Sequence, residues 1–408
     1  MGNIIKSGRS TQPNYSLLTV ILFWCGLVIV ASNYLTIPLM TIFSQVFDAS
    51  IAKVAWTGSA FSLFYAIGSL FSGPISDRYG RKKVILIGLL LLTVITFLLP
   101  LVSHLTWIII LRSIQGLTAA SFAPVALSYV VDLFPTEKVV TTIGFISSGF
   151  LMAGIVGQIF SDFFSQKFGW QSVFYFSGGI YLFTALIVAF SLPKSMIQNV
   201  DSNLRTMFYQ FRTILVQKKL ILCYVITITL LLTFVAVYTV LGDFLSEKYH
   251  VDERGILSIR MLGIIGMLFA PVAGLLTRRY GLFHVLRGAL SLAVIGVALL
   301  GISFNLIFAV CMSIVFVTGI ALTVPTLISV VGELGGENRG AAVSFYAFIL
   351  FIGTSLGPII AVLLLKFGSY VIAFLSLALL LSVGLFLSFL LKGEDEKGRG
   401  EKGNLISK

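Results

Sequence analysis

The sequence predicts an all-α integral membrane protein, with twelve transmembrane helices in two parallel six-helix repeats. Three observations carry that prediction. Apolar residues make up 58% of the 408-residue chain and charged residues only 11%, against about 25% charged in an ordinary soluble domain. The apolar residues gather into runs of roughly 20, the length that crosses a hydrocarbon core about 30 Å thick. Residues of the second half of the chain repeat those of the first at a near-constant displacement. The alternating pattern of a membrane β-barrel is absent.

Taken in order, residues 1–15 form a polar, basic N-terminal tail. The first apolar run, 16–40, is too long for a signal-peptide core and has no small-x-small cleavage site, so a retained span is expected. The runs 56–76, 84–102, 107–131, 141–164 and 170–192 complete an N-terminal six-helix half, 16–192. Residues 193–219 form a linker in which Leu204, Met207, Phe208, Phe211, Ile214 and Leu215 recur at helical spacing among Arg205, Arg212, Lys218 and Lys219. That pattern predicts an amphipathic helix on the cytoplasmic leaflet. The runs 220–244, 256–277, 284–302, 306–331, 341–367 and 369–391 make a C-terminal half, 220–391, and 392–408 is a Gly/Lys/Glu-rich tail expected to be disordered. Pro38, Pro124, Pro271, Pro325 and Pro358 lie inside runs, which packed membrane helices tolerate.

Charge sets the orientation. With the N-terminus inside, 21 of the 28 Lys and Arg residues fall in cytoplasmic segments; Lys53, Lys167, Lys248, Arg254 and Lys366 fall outside, and Arg112 and Arg260 lie within runs. By the positive-inside rule both termini are cytoplasmic and the protein is a multi-pass protein of the cell membrane. The net charge of +12 does not indicate nucleic acid, because the cations sit in short loops with no basic-aromatic face. Cys25, Cys223 and Cys311 lie apart inside apolar runs and suggest neither a disulfide framework nor a metal site. No cofactor or metal is expected. The expected partners are a small-molecule substrate, protons and lipids, and a monomer is expected.

The two halves look related. Pro124 and Pro325 are 201 positions apart, as are Ser128 and Ser329, and Asp132 and Glu333. Gly73…Arg78-Tyr79-Gly80 has an echo in Gly274…Arg279-Tyr280-Gly281, and Lys167-Phe168-Gly169 recurs at Lys366-Phe367-Gly368. Repeats of this kind place a substrate site at their interface, near the bilayer midplane.

The stretch Gly73-Pro74-Ile75-Ser76-Asp77-Arg78-Tyr79-Gly80-Arg81-Lys82-Lys83 joins the second and third runs. It resembles the loop 2–3 signature of the major facilitator superfamily, and with twelve spans, inside termini and a central linker the resemblance covers essentially the whole chain. It implies the major facilitator fold. It also implies that Asp77 faces the positive end of the eleventh helix near Gly340, and that Arg81 pairs with Asp132. Gly73, Asp77, Arg78, Gly80, Arg81 and Asp132 would then latch the halves together inside, strongly on the Asp77 side and weakly at the echo, which has lost the acid. The bare alternative is a cluster that only sets topology.

In the fourth run, Arg112, Gln115 and Gly116 resemble the family's helix 4 motif, which implies a part in proton transfer or substrate binding; snorkelling of Arg112 to the outer interface is the alternative. Gly149, Gly154 and Gly157 in the fifth run, with Gln158, are similar to the antiporter signature of drug exporters, although Ala153-Gly154 replaces the usual Gly-Pro. A fuller copy, Gly353, Gly357 and Pro358, lies in the eleventh run. Close helix packing alone also explains small residues at this spacing. No carboxylate lies mid-span; Asp162 and Asp243, the latter paired to Arg260, are the remaining options for carrying protons. Candidate cavity contacts are Asn33, Tyr34, Phe61, Tyr65, Arg112, Gln115, Gln158, Tyr238 and Tyr346. A cavity with an arginine and no acid suits neutral or anionic substrates better than cationic dyes.

The expected function is secondary active transport: export of small amphipathic drugs or metabolites by alternating access, coupled to proton influx, as in the drug–proton antiporter branch. An uptake permease or an exporter dedicated to one sugar, amino acid or organic anion is the alternative, and a transport-dead receptor a remote one. There is no Gly-x-x-x-x-Gly-Lys-Ser/Thr loop for ATP. The three histidines, His104, His250 and His284, make no mid-span cluster, so an enzyme is not expected.

Overall fold

The computed structural model describes residues 14–193 and 204–391. The N-terminal tail to residue 13, the start of the linker and the tail expected to be disordered lie outside the described residues.

The first crossing is α1 (Tyr15–Ala31), a turn, and α2 (Met40–Val46). The second is α3 (Ile51–Val54) and α4 (Trp56–Tyr79), and the third is α5 (Arg81–Leu98). The fourth is α6 (Leu105–Ala119) and α7 (Ala123–Leu133), followed by α8 (Thr136–Phe168) and α9 (Trp170–Ser191). After α10 (Leu204–Val216) come α11 (Lys218–Tyr249), α12 (Glu253–Met267) with α13 (Val272–Tyr280), and α14 (Leu282–Gly301). The last are α15 (Leu306–Gly335), α16 (Arg339–Leu365) and α17 (Tyr370–Leu390). Among the described residues, eleven helical stretches are long and apolar enough to cross a membrane, and one of them, Leu306–Leu365, contains both α15 and α16. Counting that stretch as two helices makes twelve crossings.

The spans differ from uniform rods. The helix of the first run stops at Ala31, well short of Met40. Ser32 turns its hydroxyl back to the Ile29 carbonyl at 2.5 Å, and Pro38 disfavours helical backbone in the residue before it. The fourth crossing breaks ahead of Pro124 and the eighth ahead of Val272, at Pro271. Pro74, Pro325 and Pro358 instead sit inside continuous helices. Thus the counterparts Pro124 and Pro325 do different things: one starts a helix, the other is carried through one. The helices α8, α11 and α15, with 33, 32 and 30 residues, are about 45–50 Å long at 1.5 Å per residue and outreach the hydrocarbon core.

The repeat is visible in the backbone. Gly80 (φ 92°, ψ 136°) and Gly281 (φ 85°, ψ 155°) each end one helix and start the next. Gly169 (φ 81°) and Gly368 (φ 71°) form a second such pair. Arg78 lies over Tyr79, and Arg279 over Tyr280, each 5.4 Å from the ring centroid.

Glycines set two close crossings. A Cβ on Gly149 would come 2.8 Å from the Phe23 carbonyl oxygen, and one on Gly157 2.7 Å from that of Ala31, so α8 lies directly against α1. Gly353 and Gly357 do the same for α16 on α11, where added Cβ atoms would meet the Ile228 and Leu232 carbonyls at 3.0 and 2.9 Å. The apolar side of α10 is not left wholly to a lipid leaflet: Ile214 is buried, and Phe211 meets Phe345 of α16, which in turn packs on Tyr224 of α11.

Candidate substrate cavity and closing interface

A cavity of about 310 Å³ lies between the first six crossings and the last six, lined by α1, α7, α8, α11, α12, α15 and α16 and the turn after α1. On α8 its lining runs from Ser147 to Gln158 and on α16 from Tyr346 to Pro358, about 16–18 Å of helix in each case. Exposure rises along it. Leu127, Ser147, Met267, Ile328 and Tyr346 are buried at one end, whereas Ile37 is 45% exposed and Pro358 is exposed at the other. The cavity is therefore closed at the end bearing Gly80 and Gly281 and opens toward the end bearing Gly169 and Gly368. Most of the lining is aliphatic or aromatic. Arg260 is the one charged side chain on it among the described residues.

Of the expected contacts, Tyr34, Gln158, Tyr238 and Tyr346 line the cavity, as does Gly154 beside the Tyr34 ring. Asn33, Phe61, Tyr65, Arg112 and Gln115 do not. Asn33 accepts from Ser62 Oγ at 2.8 Å. Tyr65 lies behind the wall, its ring 4.0 Å centroid to centroid from Phe351, which does line the cavity. Gly116 is a packing residue, since a Cβ there would reach the Phe61 backbone of α4.

Arg112 neither snorkels nor faces the cavity; it is 0% exposed. Its guanidinium donates to the carbonyls of Ser32 (2.9 Å), Asn33 (3.4 Å) and Thr57 (3.1 Å) and to Gln115 Oε1 (2.5 Å), and it lies 4.3 Å from the Phe61 ring centroid. Gln115 passes the chain on to Thr96 Oγ1 at 2.7 Å. The physical reason is the broken first crossing. The end of α1 leaves carbonyls without helical partners at the negative end of a helix, and the planar fork of an arginine satisfies several at once.

Asp243 and Arg260 are not paired. Asp243 accepts from Tyr370 Oη at 2.9 Å on an exposed position, while Arg260 Nη2 donates to the Tyr238 carbonyl at 3.2 Å. Tyr238 and Asp243 are five residues apart, about 140° around α11, so an arginine held at the first faces away from the second. Arg260, Ser147, Phe234, Phe351 and Thr354 were missed as cavity residues. Arg260 had a signal, a cation inside an apolar run; the aromatics had none to separate them from lipid-facing neighbours.

The closed end is built from two interfaces. At the first, Gly73 N–H donates to Ser344 Oγ at 3.0 Å across α4 and α16. Asp77 lies against Gly340, the second residue of α16, where a Cβ would come 2.9 Å from the carboxylate carbon. Arg81, 5% exposed, reaches Asp77 Oδ1 at 2.5 Å, Asp132 Oδ2 at 3.1 Å, Ser76 Oγ at 2.5 Å and the Gly73 carbonyl at 3.3 Å. At the second, a Cβ on Gly144 would meet the Ala270 carbonyl oxygen at 2.5 Å, and Gly274 packs on Thr141. Ser148 Oγ contacts the Met267 carbonyl at 2.9 Å, and Arg278 donates to the Glu137 carbonyl. The echo side is thus joined by glycine packing and contacts to backbone carbonyls, with no acid in the place of Asp77.

Two sets of helices around a central cavity, closed at one end and open at the other, define a membrane carrier. Residues 22–338 match the family model of the Major Facilitator Superfamily, and the chain belongs to that family. It is 26% identical to an uncharacterized transporter of Buchnera aphidicola subsp. Schizaphis graminum over 87% of this chain and 86% of that protein. It is 24% identical to the quinolone resistance protein NorA of Staphylococcus aureus over 80% of this chain and 84% of that one. The fold matches the crystal structure of the human organic anion transporter MFSD10 with a TM-score of 0.76 at 16% identity, covering 92% of this chain and 100% of that one.

Proposed function

We propose that the protein exports small amphipathic molecules across the cytoplasmic membrane by alternating access, coupled to proton influx, with α1–α9 and α11–α17 rocking as two halves. The observation that carries this reading is the cavity between the two sets, closed at the Gly73–Ser344 and Gly144–Ala270 contacts and open at the opposite end. The excess of Lys and Arg at the closed end supports placing that end in the cytoplasm, so that the open end faces outward. The mainly apolar lining with a few polar groups suits an amphipathic guest, and the likeness to NorA supports export. The closing cluster of Asp77, Arg81 and Asp132 acts as the latch of the inside-closed state. Asp243, at the open end and bonded to Tyr370, is the carboxylate best placed to take up an external proton.

Spin labels on cysteines replacing Lys138 and Arg279 report the closed end, and labels at Val46 and Phe367 the open end. In liposomes the two distances should change in opposite directions between populated states. A single fixed arrangement under all conditions overturns the carrier reading. Uptake into inside-out vesicles should be driven by an acidic interior, and flux of opposite sense removes the export assignment.

A further inference from the structure

We infer that the cavity selects organic anions, held by Arg260 at their charged end with an apolar body about 10 Å long buried below it; this rests on the transporter reading above. Arg260 sits on α12 at the cavity wall, and the lining continues from it to Met267, seven residues or about 10 Å along the helix direction. Its one hydrogen bond among the described residues, to the Tyr238 carbonyl, uses a single guanidinium N–H. A guanidinium has five N–H donors in a fork that matches a carboxylate or sulfonate. No carboxylate lines the cavity among the described residues to neutralise it.

The contrast with Arg112 is informative. Arg112 spends four of its five N–H donors on three carbonyls and Gln115 and is closed away from the cavity, whereas Arg260 is half-buried and keeps donors for a guest. An arginine without a counter-charge in a membrane interior is costly and marks a substrate path. A cationic guest would add a second uncompensated positive charge, and a neutral one would leave the first unmatched.

One further feature fits this occupant. Gly263, one turn beyond Arg260, has no side chain to collide with the Tyr238 hydroxyl, so the tip of that tyrosine comes directly against α12.

The test uses three probes of one shape on the full-length protein in lipid nanodiscs: naphthalene-2-carboxylate, naphthalene-2-carboxamide and 2-naphthylmethylammonium, with Kd measured by calorimetry. The carboxylate should bind at least about tenfold more tightly than the amide, and the ammonium most weakly. Arg260→Gln should bring the carboxylate to the level of the amide while leaving amide binding in place, which also shows that the variant is folded. Arg260→Lys should retain part of the preference. Equal binding of the three probes, a preference for the ammonium, a carboxylate preference that survives Arg260→Gln, or no binding of any probe overturns the inference. The spin-label distances do not depend on guest charge. If they alternate while the probes fail, only the anion assignment falls; if they stay fixed, the carrier reading falls.

Discussion

Gly73 and Ser344, 271 positions apart, are joined by a hydrogen bond from the Gly73 backbone N–H to the Ser344 hydroxyl, 3.0 Å long and buried. The bond exists because position 73 has no side chain. A Cβ there would collide with Ser344 Oγ and with the Gly340 carbonyl, so α4 and α16 would have to part. Gly73→Ala should therefore fold but disfavour the closed end by about 1–3 kcal/mol, a typical cost of overpacking. The Lys138–Arg279 label pair should show the longer distance more often, and transport should slow at least about tenfold. Ser344→Ala loses only the bond and should cost about 1 kcal/mol. An unchanged distance distribution in Gly73→Ala would show that this contact does not control closure.

Asp77 meets the same helix by charge. Its carboxylate lies against Gly340 at the positive end of α16 and 2.5 Å from Arg81. Asp77→Asn keeps shape and removes charge, so insertion should be normal. The loss at the helix end is about 0.3–2 kcal/mol, and turnover should fall up to about tenfold with little change in substrate affinity. Wild-type turnover would reject a latch role. Asp132→Asn should have the smaller effect, because Arg81 keeps Asp77, Ser76 and the Gly73 carbonyl as partners.

The number and order of the crossings were legible because each run must solve the same problem of length and hydropathy. Which side of each run faces the cavity was not. Tyr34 and Asn33 are neighbours in sequence, both polar within an apolar run, yet one lines the cavity and the other is bonded to Ser62. Lipid, packed protein and an apolar cavity all accept the same residues, so hydropathy carries little information about helix rotation. The breaks were ambiguous for a related reason. Pro124 and Pro271 mark breaks while Pro74, Pro325 and Pro358 are carried through, because neighbouring helices re-satisfy the backbone in some places and not in others. Arg112 was conspicuous in sequence, but its role depends on a break in α1 that only the assembled helices reveal.

Arg112 should therefore be a stability residue before it is a transport residue. Arg112→Ala strands the carbonyls of Ser32, Asn33 and Thr57 in a buried site. With hydrogen bonds to a charged group worth about 1.5–3 kcal/mol each, and not additive, the loss should exceed about 3 kcal/mol. Arg112→Lys should recover little, because a point charge cannot fork to three carbonyls and Gln115. Thermal unfolding in detergent measures both. Full stability together with lost transport would return Arg112 to a direct part in coupling. Gln115→Leu should show a smaller loss of the same kind, through Thr96.

Gly80 and Gly281 allow position and backbone to be separated. Both hold positive φ with extended ψ, 92°/136° and 85°/155°, a region almost closed to residues with a Cβ, with a cost of about 1–3 kcal/mol for entering it. Alanine at either position should lower unfolding stability by similar amounts. Asparagine should not rescue, since it tolerates the left-handed helical region, where ψ is near 45°, rather than this one. Transport should separate the two. Gly80 is followed by Arg81, which holds Asp77 and Asp132, whereas Gly281 is followed by Leu282. A shift of the chain at 80 misplaces the ion cluster; the same shift at 281 leaves that cluster in place. Gly80→Ala should therefore reduce turnover several-fold more than Gly281→Ala at matched stability. Equal turnover in the two variants would show that the turn itself, and not the cluster it positions, limits the rocking step.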